Sequence, residues 1–161
     1  MDLLKKERAS IAGRFKIIVS DSDGRELDRR EVDNLVTTTG KAGVANLICN
    51  FGSIPAFTFI ALGTGTTPPA LGDTDMQTEI TIDGLAAAAA TISLETTDAL
   101  DDTARLDHTF TSTGGSHDVT EAGVMNNVTA GLGVLLARQT FAPLTVVNTN
   151  TVRVIYNIDV D

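Results

Sequence analysis

Tryptophan is absent from the 161-residue sequence, and aromatic residues make up only 4% of it. The stacking platforms that sugar sites usually need are therefore scarce. A single cysteine, Cys49, cannot form an internal disulfide. That excludes a disulfide scaffold and a cysteine-based zinc site, and it leaves the redox compartment open. No window approaches the eighteen or so apolar residues needed to span a bilayer. The opening Met1-Asp2-Leu3-Leu4-Lys5-Lys6-Glu7-Arg8 lacks the apolar run of a secretory signal. The expectation is a soluble protein made without export and without a membrane partner. What is present suffices for folding: 42% of residues are hydrophobic and 20% charged, enough for one domain whose buried apolar surface offsets its ordering entropy.

Positive charge is also scarce, and it is unevenly placed. Twelve Lys and Arg stand against 21 Asp and Glu, a net charge of −9. The basic residues up to Lys41 are Lys5, Lys6, Arg8, Arg14, Lys16, Arg25, Arg29, Arg30 and Lys41 itself; after it only Arg105, Arg138 and Arg153 remain. The early segment is thus roughly neutral and dense in both signs, while the rest carries the negative excess. An acidic body repels phosphate, and the basic residues alternate with acids and not aromatics, so no nucleic-acid partner is expected. The early segment reads either as a solvated surface with local ion pairs or as a docking face. Arg14, Lys16, Arg29 and Arg30 are the docking candidates.

Along the chain, Leu3 to Ile11 has the spacing of about two helical turns. Phe15 to Val19 reads as a strand, Asp21-Ser22-Asp23-Gly24 as a turn, and Arg25 to Val32 as a returning strand. An EF-hand reading of that turn fails, because the later ligands and the closing glutamate are missing. Residues 1–36 form a charged arm and hairpin on this reading, and 37–161 the body of a single compact unit. Val44, Leu47 and Ile48 recur at helical spacing after a threonine that can cap, which predicts a short helix from Thr38 to Cys49. Ala56 to Leu62 suits a buried strand. The loop Gly63-Thr64-Gly65-Thr66-Thr67-Pro68-Pro69 lacks the Gly-Lys-Ser/Thr ending of a phosphate-binding loop.

Threonine-rich alternation then predicts strands at Glu79 to Ile82, Ala89 to Thr96, Arg105 to Thr113, Val134 to Phe141 and Thr151 to Asp159. The last puts Val152, Val154, Tyr156, Ile158 and Val160 on one face. The five alanines Ala86 to Ala90 favour helix by propensity, but their neighbours favour entry into a strand. Turns are expected at Asp83-Gly84, Asp98 to Asp102, Gly114-Gly115 and Asn148 to Asn150. The fold class is mainly β: an antiparallel, jelly-roll-like β-sandwich with a charged N-terminal segment and one short helix.

Catalytic constellations are hard to find. His108 and His117 are the only histidines. His117, in the polar run Gly114-Gly115-Ser116-His117-Asp118, is expected to decorate a loop, since a triad of adjacent residues cannot place the base between nucleophile and acid. Cys49, beside Leu47 and Ile48, is expected to be a buried small hydrophobe and not a thiolate nucleophile. Asp98, Asp101 and Asp102 lack calcium-loop spacing and read as a solvated turn. No catalytic residue, metal or cofactor is expected.

Several segments together resemble the small structural proteins of tailed bacteriophages that serve in head decoration, necks or tail fibres. They are Gly13 to Val19 with the Asp-Gly turn, Asp33 to Thr37 with Gly40, Phe59 to Pro68, Asp73 to Glu79, Thr120 to Val124, and Leu135 to Arg138. The resemblance implies a non-enzymatic β-sandwich located in the virion, with other virion proteins as partners and a homo-oligomer, trimeric by that likeness. Gly63, Thr64, Gly65, Pro68 and Pro69 would then be a contact loop against a symmetry mate. The alternative from another class is a surface carbohydrate-binding or adhesin module. It would want exposed aromatics and calcium ligands, whereas Phe15, Phe51, Phe57, Phe59, Phe110 and Phe141 sit mostly in apolar runs that suggest core. A small hydrolase would need a pocket gathering His108 or His117 with carboxylates.

Overall fold

The structure, a computed structural model, describes residues 10–129 and 131–160. The helical turns expected from Leu3 onward fall almost wholly outside these residues; Ile11, at their end, opens a strand. Ten strands and one helix follow in chain order: β1 (Ile11–Ser20), β2 (Glu26–Asp33), β3 (Leu35–Val36), α1 (Thr38–Cys49), β4 (Phe59–Gly63), β5 (Ala88–Ala89), β6 (Thr91–Glu95), β7 (Thr103–Thr111), β8 (Ser116–Met125), β9 (Leu135–Val147) and β10 (Thr151–Val160). They form two antiparallel five-stranded sheets, ordered β2-β1-β10-β7-β6 and β3-β9-β8-β4-β5. The fold is mainly β, as composition and alternation predict.

The first sheet follows from period-two patterning. Phe15, Ile17 and Val19 of β1 are buried, as are Val152, Val154, Tyr156 and Ile158 of β10. Their registers, Phe15 opposite Tyr156 and Ile17 opposite Val154, put them on one face. The turn before β2 is closed by Asp21, whose Oδ1 accepts from the backbone N–H of Asp23 and Arg25 at 3.0 and 2.9 Å, with Gly24 at φ +81°. Because β1 pairs with β10 from Ile11 to Ser20, the charged hairpin forms one margin of this sheet.

The second sheet meets the first across a shared core in which Phe15, Ile17, Phe110 and Tyr156 pack with Ile60, Leu62, Val119, Val124 and Leu144. Helix α1 has the expected limits. Thr37 caps it, accepting from Gly40 N–H at 2.9 Å and donating to the Leu135 carbonyl at 2.6 Å. Its buried residues, however, are Gly40 and Gly43. A Cβ on Gly40 would lie 2.2 Å from the Leu136 carbonyl oxygen, so glycine is what lets the helix backbone lie against β9.

Three expectations need correction. Glu79 to Ile82 is not a strand; it contributes one bridge, Glu79 to Gly63. The stretch from Ser116, read as a polar loop, is the start of ten-residue strand β8. Val134 to Phe141 underestimates β9, which runs to Val147 through an irregularity at Ala142-Pro143. Proline has no N–H for the ladder, so a break in pairing there is expected.

The acidic turn between β6 and β7 is built by one carboxylate. Asp102 accepts from the N–H groups of Thr97, Asp98 and Ala99 at 2.5 to 2.9 Å. These bonds favour the ionised form and hold its pKa down at about 2. A depressed carboxylate contributes stability that is complete above the ordinary aspartate range near 4 and is lost as pH falls through about 2. Asp102→Asn is therefore expected to be less stable than the parent at neutral pH, with the difference shrinking in acid unfolding between those limits. A gap that stays constant down to the lower limit would contradict this.

Candidate functional site

The outer face of the first sheet is uncovered among the described residues and carries most of the candidate docking residues. On β1, Arg14 and Lys16 point away from the core, opposite Asp33 and Glu31 of β2. Arg14 Nε lies 2.8 Å from Asp33 Oδ1 and Lys16 Nζ 3.4 Å from Glu31 Oε1. Arg29, opposite Ile18, makes a two-pronged contact with Glu26 at 2.9 and 2.6 Å. The pattern continues across the sheet, where Asp107 of β7 receives Arg153 at 2.6 Å and Arg105 at 3.0 Å. Hydrogen bonding by those arginines, Arg153 foremost, holds the Asp107 carboxyl below its usual range. The face is thus a ladder of paired, alternating charges. Each exposed pair adds at most about 1 kcal/mol to stability, so the ladder adds little rigidity.

Arg30 differs from the other three. It lies opposite Ile17, on the core side of β2, and its guanidinium donates to the carbonyls of Ala142 and Pro143 at 3.1 and 2.9 Å and pairs with Asp28 at 2.6 Å. Those carbonyls belong to the irregular part of β9, so Arg30 is a strut between the two sheets.

The outer face of the second sheet is roofed by the segment after β4. Ala61, Met125 and Leu135 on that face pack with Met76 of the roof. Beneath it lies a fully buried ion pair, Glu121 of β8 with Arg138 of β9, at 2.7 Å. Glu121 Oε1 accepts from Gly65 N–H at 3.2 Å and Thr78 N–H at 2.7 Å, and Oε2 from Gln77 N–H at 3.2 Å. Arg138 reaches Asp73 at 2.6 Å and the Thr67 carbonyl at 2.7 Å. The Thr120 hydroxyl donates to the Gly65 carbonyl at 2.8 Å.

This network sets the conformation of the expected contact loop. Gly63 and Gly65 are buried against Glu121, where a Cβ on either would come within 2.3 and 2.5 Å of its Oε1. Thr64, Thr66, Thr67 and Pro68 are exposed, and Pro69 is half-buried. The glycines fasten the loop and the residues between and after them face outward. The segments Phe59 to Pro68, Asp73 to Glu79, Thr120 to Val124 and Leu135 to Arg138, quoted above for their resemblance, all converge here. Sequence reasoning did not single out Glu121, Arg138 or Asp73 as partners. The available signal was Arg138, the one basic residue between Arg105 and Arg153, inside a run otherwise fit for a core.

The remaining candidates are placed differently from expectation. His117 is not loop decoration: it stands on β8 with Nε2 2.8 Å from Asp83 Oδ2, clipping the 83–84 turn to the sheet. His108 lies on β7 with its ring 4.5 Å from that of Phe110, and with Thr91, Asp107, Thr109 and Arg153 it lines a shallow depression on the first sheet. Cys49 is exposed, not buried, because α1 rests on its glycines and turns the Leu47–Cys49 side outward. Phe15 and Phe110 are core residues, whereas Phe51 is exposed. Among the described residues, no group of three His, Cys, Asp or Glu side chains is placed to hold a metal ion. A shallow cleft of about 450 Å³ is lined by residues including Gly13, Asn34, Val36 and Lys41. Asn34 donates from its floor to the buried Tyr156 hydroxyl at 3.3 Å. No protein-family model matches the chain, and neither a curated protein nor a solved structure matches it.

Proposed function

We propose that the chain is a non-enzymatic structural component of a tailed-phage virion, a jelly-roll-like sandwich that docks on other virion proteins as a head-decoration or neck and tail accessory protein. The observation that carries this reading is the ion-pair ladder on the outer face of the first sheet. Alternating charges at fixed strand spacing, each oriented by its neighbour, are suited to meeting a surface with the complementary alternation, where they set register and partner choice. The rest of the architecture supports a passive, rigid role. The chain passes between the sheets four times, after β2, β5, β7 and β9, and the second sheet's outer face is locked under a roof by a buried ion pair. The outward residues of the 63–69 loop, Thr64 and Pro68 with Pro69 behind them, are stiffened from below and suit contact with a neighbouring subunit.

The test is incorporation into particles. Arg14→Glu, Lys16→Glu and Arg29→Glu combined leave every core contact in place, so the variant is expected to fold. Its copy number in purified particles is expected to fall at least about tenfold in competition with the parent, the loss of two or more close charge contacts. Unchanged incorporation would remove the docking role of this face. Absence of the parent chain from purified particles would overturn the virion reading itself.

A further inference from the structure

The charge distribution has a gap that the ladder does not fill. No Asp, Glu, Lys or Arg occurs from Ala42 to Gly72, nor from Ala122 to Ala137. The fold brings these two stretches together. Residues Phe59–Leu62 of β4 pair with Ala122–Met125 of β8, Gly40 of α1 lies against Leu136, and the Asn126 side chain donates to the Pro55 carbonyl at 3.3 Å. Among the described residues, one end of the molecule is therefore poor in charge, with Lys41 of α1 and Asp75, 3.7 Å from the Cβ position of Gly131, at its margins.

That end is also apolar at its surface. A helix lying on a protein exterior normally turns a charged face to water. Helix α1 instead turns Ala42, Ala45, Ile48 and Cys49 outward, with Lys41 its only charged residue. Ile48 is 83% exposed and Phe51, just beyond the helix, 73%. In the loop after β8, Leu132 is 73% and Val128 46% exposed. Scattered single exposures are ordinary, but several large side chains at a charge-poor end mark a surface that is covered in use.

We propose that this charge-poor end binds the same end of a second copy of the chain. Charge decides the occupant. Two molecules of net charge −9 repel wherever their charged surfaces face each other, and this end is where they can meet with the fewest like charges opposed. A basic partner would be drawn to the acidic remainder instead. A surface matched to itself gives the self-complementary contact of a symmetric pair. The inference stands on this surface alone and holds whatever the chain's place in a particle. The other exposed apolar row, Ile92 and Leu94 of β6, lies on the first sheet opposite Leu106 and Ala104 of β7 and serves as the control.

Sedimentation equilibrium of the purified chain across roughly 1–100 μM, the range in which modest interfaces populate, is expected to show a mass of two or more chains. Ile48→Glu with Phe51→Glu is expected to weaken that association by about 100-fold or more, with the circular dichroism spectrum and melting temperature of the parent. Ala45→Glu, on the same outward helix face, is a second variant that touches no core residue and is expected to act in the same direction. Ile92→Glu with Leu94→Glu is expected to leave the mass unchanged. Cys49 supplies a direct probe, since a short bis-maleimide should join two parent chains and fail to join the variant. A parent that stays a single chain throughout the range would overturn the proposal. So would an association that survives the charges at positions 45, 48 and 51, or one lost only in the β6 variant.

Discussion

Glu121→Ala is expected to lower the unfolding free energy by about 3–5 kcal/mol, the range for breaking a buried ion pair by removing one partner. In a chain of this size that corresponds to a fall in melting temperature of roughly 10 °C. The size follows from what is left behind. Arg138, 2% exposed, would keep Asp73 but lose its 2.7 Å contact to Glu121. The N–H groups of Gly65, Gln77 and Thr78 would lose their acceptor at once. Orphaning the donor of buried Gly65 is costly by itself, and the part-buried donors of Gln77 and Thr78 add to it. The roof over the second sheet should loosen before the sheets separate, so limited proteolysis is expected to cut between residues 64 and 79 in the variant and not in the parent. Arg138→Met should be destabilising too, and the double variant Glu121→Ala, Arg138→Met should lose less than the sum of the two, because no fully buried charge is left unpaired. Urea unfolding of the four proteins gives the coupling directly. A loss below about 1 kcal/mol for Glu121→Ala would mean that water reaches the pair and that the roof is held by other contacts.

Gly40→Ala is the second large effect, and its sign is the point. Helix propensity alone gives alanine an advantage of up to about 1 kcal/mol over glycine. The structure gives the opposite result, because the new methyl would stand 2.2 Å from the Leu136 carbonyl oxygen and 2.7 Å from its Cα. Those are backbone atoms of β9 that cannot swing aside. Relief requires α1 to move off the sheet, stretching the Thr37 hydrogen bonds to Gly40 and Leu135. A net loss of about 1–3 kcal/mol is expected, the range for overpacking. A variant as stable as the parent would show that α1 rides loosely on β9.

These two positions also show where sequence reading succeeds and where it stops. The alternation in β10 identified its inner residues, and Val152, Val154 and Tyr156 are fully buried. The Asp21–Gly24 turn and the limits of α1 were equally plain, because each depends on neighbours in sequence. The burial of α1 was not, since the usual rule assigns an apolar stripe to the core, and here the helix is seated through two glycines while Ile48 faces water. That error carried Cys49 inward with it. Strand β8 escaped notice for a related reason. Both faces of its second half are covered, one by the first sheet and one by the roof, so alternation gives way to a continuous buried run from Val119 to Asn126. Glu121 inside that run looks like a polar interruption until Arg138, seventeen residues away, is placed beside it.

The position of β10 has a consequence for how the protein is made. It lies between β1 and β7, yet it is the last of the described strands to leave the ribosome. Until it arrives, two hairpins, β1 with β2 and β6 with β7, wait with bare inner edges and an unfilled gap between them. Contacts that join Ile11 to Val160 close a very long loop, and such distant pairings slow folding. Synthesis must therefore run past Val160 before the first sheet can zip together, and during that interval the exposed edges depend on dilution or chaperones to avoid pairing with other nascent chains.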